Sequence, residues 1–126
     1  MLAGNMQGAE GGATMISSAP MIPRATLTVM EAGGSMASKN PNVISPLPFV
    51  IGRTEGALVL KDPNISRKHA QISYDAAQRA YVINDLTSSN GTYVNSKRII
   101  PGQPAQLANG SVIGLGPAIT LRFELS

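Results

Sequence analysis

The stretch "SRKHAQISYD", residues 66–75, sets a serine, two cations and the only histidine of the chain at the entrance to a run of alternating character. Apolar or small residues (Ala70, Ile72, Tyr74) alternate there with polar ones (Gln71, Ser73), the period of a strand with one face inward. Pro63, Asn64 and Ser66 ahead of it are turn formers. Outward from this stretch the same texture recurs. Upstream, Ala25, Leu27 and Val29 alternate with Thr26, Thr28 and Met30, and "FVIG" (49–52) and "ALVL" (57–60) are short apolar runs. Downstream come "YVIND" (81–85), "GTYVN" (91–95), "AQL" (105–107) and "SVIGL" (111–115). The last run, "ITLRFEL" (119–125), puts Ile119, Leu121, Phe123 and Leu125 on one face and Thr120, Arg122 and Glu124 on the other. Gly, Pro, Asn and Asp separate these runs at short intervals, which predicts an all-β sandwich or barrel of mainly antiparallel strands. "AAQRA" (76–80) is too short for an independent helix and reads as a hairpin connection. "EAGGSMASKNPNVISPLP" (31–48) reads as a long loop or irregular edge.

The length, 126 residues, suits one domain with a tail. Residues 1–22 are rich in Gly, Ala, Met and Ser, carry Glu10 as their only charge, and read as a flexible extension. Residues 23–126 form the expected folded domain.

Composition narrows the function. The chain has no cysteine and one histidine, which argues against a zinc site, a disulfide framework or a thiol nucleophile. The net charge is +3, with ten Lys and Arg spread along the chain, a distribution suited to a small anionic ligand rather than a nucleic-acid backbone. Aromatic residues make up 4% and tryptophan is absent, so a base-stacking platform is not expected. No segment approaches the roughly 18 apolar residues of a membrane span. The N-terminus does not read as a secretory signal, since Asn5, Gln7 and Glu10 interrupt its apolar character. The expectation is a soluble, cytoplasmic protein with no metal, cofactor, membrane or nucleic-acid partner. Glycosylation-type sequences begin at Asn64, Asn90 and Asn109, and all three coincide with expected turns.

Four clusters are candidates for chemistry: Gly52-Arg53, Ser66 to His69, Thr87 to Asn95, and Asn95-Ser96. Taken singly each has an ordinary reading. Arg53 is then a surface arginine, Ser66 to His69 a turn with solvated cations and a tucked histidine, and Thr87 to Asn95 a hairpin whose Asn-Gly accepts positive φ.

Taken together, "IGR", "ISRKHAQI", "NDLTSSNGTYVN", "KRI", "LANGSVIGLG" and "LRFEL" follow in an order and at separations that resemble the forkhead-associated (FHA) domain. The resemblance spans roughly Ala25 to Leu125. It implies a sandwich of two twisted, mainly antiparallel sheets, about eleven strands in all, whose loops at one end bind phosphothreonine in another polypeptide. A phosphate dianion needs several positioned donors, because each charge-assisted hydrogen bond contributes only about 1.5 to 3 kcal/mol net. Loops projecting from a rigid sandwich can bring such donors together from distant parts of a chain.

By this resemblance the phosphothreonine-peptide binding residues are Arg53, Ser66, Arg67, Ser89 and Asn90. Arg53, Ser66 and Arg67 face the phosphate, Ser89 the phosphate or the threonine, and Asn90 the peptide backbone. Lys68 adds positive potential without a fixed contact. Gly52, His69, Gly91 and Asn95 are expected to support the loops, with His69 bracing the Ser66 loop against the Asn90 loop. Asn64, Thr87 and Ser88 are candidates for reading residues beyond the phosphothreonine. A preference for threonine over serine is worth roughly 1 to 3 kcal/mol per fitted methyl group.

The chain departs from the family pattern at "TEGALVL", where an Asn-Asp pair is common, at Ser96, commonly glycine, and at Ser111, frequently acidic. The expected function is a phosphothreonine-dependent module that recruits partners in Ser/Thr kinase signalling. The alternative is a scaffold or oligomerisation module of the same fold, using a surface such as "VISPLPFVI" (43–51). An enzyme is not expected, since no Gly-x-Ser-x-Gly elbow is present and "GLG" (114–116) precedes a strand rather than a helix. Thr14 is a possible phosphorylation site from which the tail would fold back onto the pocket.

Overall fold

The computed structural model describes residues 22–31, 40–117 and 119–126. The expected extension over residues 1–22, with Thr14, and the middle of the 31–48 loop lie outside the described residues, except Ile22 itself and the loop's two ends.

Eleven strands and no helix form among the described residues. They are β1 (Ala25–Glu31), β2 (Asn42–Val43), β3 (Phe49–Gly52), β4 (Leu58–Val59), β5 (Ala70–Asp75), β6 (Ala80–Asp85), β7 (Thr92–Val94), β8 (Lys97–Arg98), β9 (Ala105–Leu107), β10 (Val112–Leu115) and β11 (Ile119–Leu125). One sheet has the order β9-β6-β5-β3-β4 and the other β2-β1-β11-β10-β7-β8. The expected two-sheet sandwich is present. All pairings are antiparallel except β3 with β4, where Ile51 faces Leu58 and Gly52 faces Val59.

Alternation places the core. Leu27, Ile51, Ile72, Ile83, Ile113, Leu115, Leu121 and Phe123 are each fully buried between the sheets, and close-packed apolar surface of this kind is the main favourable term in folding. Leu125 shares the face of Phe123 yet is 39% exposed, because it ends its strand beyond the cover of the facing sheet. "AAQRA" is a connection: the Asp75 carboxylate accepts from the amides of Ala77 and Gln78, and Arg79 closes the β5–β6 hairpin at φ 52°.

Thr87 to Asn95 is not a hairpin. β6 lies in one sheet and β7 in the other, so residues 86–91 carry the chain across the rim of the sandwich. The true hairpin is β7–β8, turned by Asn95 and Ser96 at φ 50° and 71°, the left-handed pair of a two-residue turn.

Candidate functional site

Three loops leave the sandwich at one end: residues 53–57 after β3, 60–69 between β4 and β5, and 86–91 between β6 and β7. Backbone hydrogen bonds tie the first two together. The Arg53 amide donates to the Ser66 carbonyl (2.9 Å), the Glu55 amide to Arg67 (3.3 Å), and the Leu60 amide to Gly52 (2.9 Å). Gly52 is what permits this approach. A Cβ there would stand 1.9 Å from the Arg67 carbonyl oxygen, so any side chain would force the loops apart. In the altered "TEGALVL" segment, Gly56 at φ 127° lets the chain turn back so that the Ala57 amide reaches the Val50 carbonyl (2.8 Å). That return sets β4 parallel to β3.

His69 joins the second loop to the third. Its ring is fully buried, Nδ1 accepts from the Ser66 amide (3.2 Å), and Nε2 lies 2.8 Å from the Gly91 carbonyl. An amide can only donate and a carbonyl only accept, so these partners assign the Nε2–H tautomer. The expected brace is therefore a bidentate link through one imidazole. The Gly91 carbonyl also accepts from Gly116 (2.9 Å), which brings in the β10–β11 turn.

Further links cross the same gap. The Ser89 amide donates to Ser66 Oγ (3.0 Å), and Asn90 Nδ2 donates to the Asn64 carbonyl (2.8 Å). Ser66 Oγ uses an acceptor lone pair in this bond, which leaves its proton to donate. Asn90 keeps one N–H and its carbonyl oxygen, the complement of a peptide group. Ser66 and Arg53 are half-buried, and Arg67, Ser89 and Asn90 are exposed. Backbone bonds between the first two loops, and bonds through the side chains of His69, Ser66 and Asn90 to the third, thus bring the loops bearing Arg53, Ser66, Arg67, Ser89 and Asn90 to one rim.

The other expected residues have specific places. Asn64 is held by the Asp62 carboxylate through its amide (2.8 Å), and its carbonyl and Cβ lie beside Gly116. Thr87 is exposed at φ 58°. The Ser88 hydroxyl donates to Asp85 Oδ1 (2.5 Å) and accepts from the Gly91 amide (3.0 Å), so it is engaged inside the loop. Asn95 pins its turn by a reciprocal pair of bonds with Val112, amide to carbonyl (2.8 Å) and Val112 amide to Asn95 Oδ1 (2.9 Å). This turn lies at the other end of β7 from Gly91, so it fixes the β7–β10 register rather than the rim. Lys68 has a partner after all, Glu55 Oε1 at 3.9 Å, in an exposed pair of little energetic weight.

Asp85 and Thr92 were not among the expected site residues. Asp85 is buried, and its carboxylate accepts from Ser88 Oγ, Thr92 Oγ1 (2.7 Å) and the Ser88 amide (3.0 Å). Burial alone would raise its pKa. The hydrogen bonds from Ser88 and Thr92, with a favourable electrostatic interaction with His69 behind them, outweigh that and hold the carboxyl below its ordinary value. The signal was in the sequence: an Asp ending a strand, three residues before a Ser, is a loop-capping pattern.

A family model described as FHA domain matches residues 49–116, from β3 to the β10–β11 turn. The chain belongs to the FHA domain family. A curated relative, Protein phosphatase 2C 70 of Arabidopsis thaliana, is 33% identical over 102 residues, covering 74% of this chain and 18% of the phosphatase. The chain spans under a third of the length of the first curated relatives it matches. Among solved structures, the FHA domain of an Arabidopsis thaliana hypothetical protein superposes with a TM-score of 0.72 at 29% identity, covering 88% of this chain and 93% of that one. A second, from work on phosphothreonine-dependent FHA domain interactions, gives 0.66 at 29% identity, covering 82% and 97%. The FHA framework thus extends over β1, β2 and β11, beyond the matched segment.

Proposed function

We propose that this FHA domain is a phosphothreonine-dependent peptide-binding module that recruits phosphorylated partners downstream of Ser/Thr kinases. The observation that carries the reading is the stitched rim. Arg53, Ser66, Arg67, Ser89 and Asn90 stand on loops joined by backbone bonds and by the side chains of His69, Ser66 and Asn90, and each retains donor capacity. Phosphothreonine-dependent interaction of a structurally similar FHA domain supports the same conclusion. Arg53 supplies the forked, permanently charged donor suited to phosphate oxygens. Ser66 donates its free hydroxyl proton, Arg67 adds a second cation, Ser89 closes the far side, and Asn90 holds the neighbouring peptide group. Nothing in this arrangement needs a bond to be made or broken. The site binds and releases, and a kinase and a phosphatase acting on the partner set its occupancy.

A second reading, a scaffold module that recruits through another surface, is favoured by one observation. Ile22, Val43, Ile44, Pro46, Leu47 and Tyr81 line an apolar groove, part of it within the "VISPLPFVI" segment. Fluorescence-anisotropy titration with a degenerate phosphothreonine library and its unphosphorylated twin separates the two. The phosphoreader binds the first at least ten-fold more tightly. Equal binding to both would discard it in favour of the scaffold.

A further inference from the structure

We propose that Arg98 extends the phosphopeptide site and selects for a carboxylate side chain flanking the phosphothreonine. Arg98 ends β8, the edge strand of the six-stranded sheet, and is exposed. A Cβ built on Gly91 would lie 2.6 Å from Arg98 Nε and 2.9 Å from its Cζ, so the guanidinium rests against Gly91, the last residue of the 86–91 loop. Gly91 at φ 87° leaves the space that this arginine occupies.

Among the described residues the guanidinium has no carboxylate partner. The one ion pair among the described residues joins Lys68 to Glu55, and among them the Arg98 guanidinium makes no hydrogen bond. Asp85, the carboxylate anchored beneath the same loop, is buried and already accepts three hydrogen bonds. Asp62 is buried, with Oδ1 taken by the Asn64 amide. A charged, planar, unpaired group lying on a binding loop is ready for an anion that the ligand brings.

Reach sets which anion. Gly91 is two residues from Ser89, a span of at most about 7 Å, and an extended ligand advances about 3.3 Å per residue. Arg98 therefore meets a side chain within a few positions of the phosphothreonine. The cation sits at the solvent edge, so its effect is a selectivity of about two- to five-fold that weakens with salt.

This inference rests on the phosphothreonine reading, and its test keeps the two apart. Phosphothreonine peptide pools with Glu or with Gln fixed at each position from three before to three after the phosphothreonine would be titrated by fluorescence anisotropy. The titrations use the full chain and its Arg98→Gln and Arg98→Lys variants. The wild type is expected to prefer Glu about two- to five-fold at one or two positions. Arg98→Gln is expected to abolish that preference while still rejecting unphosphorylated peptide, and Arg98→Lys to retain part of it. A wild type indifferent to Glu, or an Arg98→Gln variant that weakens the Glu and Gln pools equally, would overturn the proposal and leave Arg98 a loop support. A wild type that ignores phosphorylation would overturn both readings.

Discussion

Arg53 and His69 both bond Ser66 in the loop network and do different work. In the proposed reading Arg53 meets the ligand, so its removal should cost binding without costing the fold. Arg53→Ala is expected to weaken phosphopeptide affinity by about ten- to a hundred-fold, the loss of one or two charge-assisted hydrogen bonds, while urea denaturation stays within about 0.5 kcal/mol of wild type. His69 is fully buried and holds two loops through both ring nitrogens. His69→Phe preserves most of the volume and removes both bonds, leaving the Ser66 amide without its partner. The expected loss is about 1–3 kcal/mol of stability by urea denaturation, with a parallel fall in affinity. Unchanged stability would mean that the imidazole link contributes nothing.

At the scale of elements, the β7–β8 turn carries a correctable strain. Ser96 holds φ 71°, a conformation that glycine adopts freely, and the hydroxyl makes no bond that repays it. Ser96→Gly is expected to raise stability by about 0.5–1 kcal/mol in thermal or urea unfolding and to leave peptide binding untouched, because the turn lies away from the rim. Gly52→Ala runs the other way. Its methyl would collide with the Arg67 carbonyl, so a loss of about 3 kcal/mol or more is expected, together with loss of binding.

The same elements show what a sequence makes legible. Period-two alternation identified the inward faces of β1, β5 and β11 because burial on one side of a sheet imposes it. It is silent on which strand joins which sheet, and so Thr87 to Asn95 has the ordinary reading of a hairpin although the segment crosses between sheets. β8 is two exposed residues, Lys97 and Arg98, with no apolar signal; the preceding turn alone makes it a strand. The rim residues were visible through resemblance, whereas Arg98 over Gly91 and Asp85 under Ser88 depend on contacts that only folding creates.

For the whole molecule, acid stability should report the Asp85 clamp. Its folded-state pKa is depressed below the usual carboxylate value of about 3.9. A depressed carboxylate contributes its stability in full above the unfolded-state value and loses it as the pH falls through the folded-state value. Wild-type unfolding free energy should therefore drop below about pH 4. Asp85→Asn should be less stable than wild type at pH 7, with the gap narrowing toward pH 2.5. A gap independent of pH would remove the carboxylate charge from the account. Because the carboxylate anchors Ser88 and Thr92 under the loop that carries Ser89 and Asn90, the proposed binding should fade in step with this loss.

The central claim is that loops from distant parts of the chain form one phosphate-binding rim. Two-dimensional amide NMR during titration with a phosphothreonine peptide tests it most directly. The predicted result is that the largest shifts fall on Arg53, Ser66, Arg67, Ser89 and Asn90, with none of that size from the unphosphorylated peptide. Shifts centred instead on Val43, Ile44 and Tyr81, or identical with and without phosphate, would contradict it.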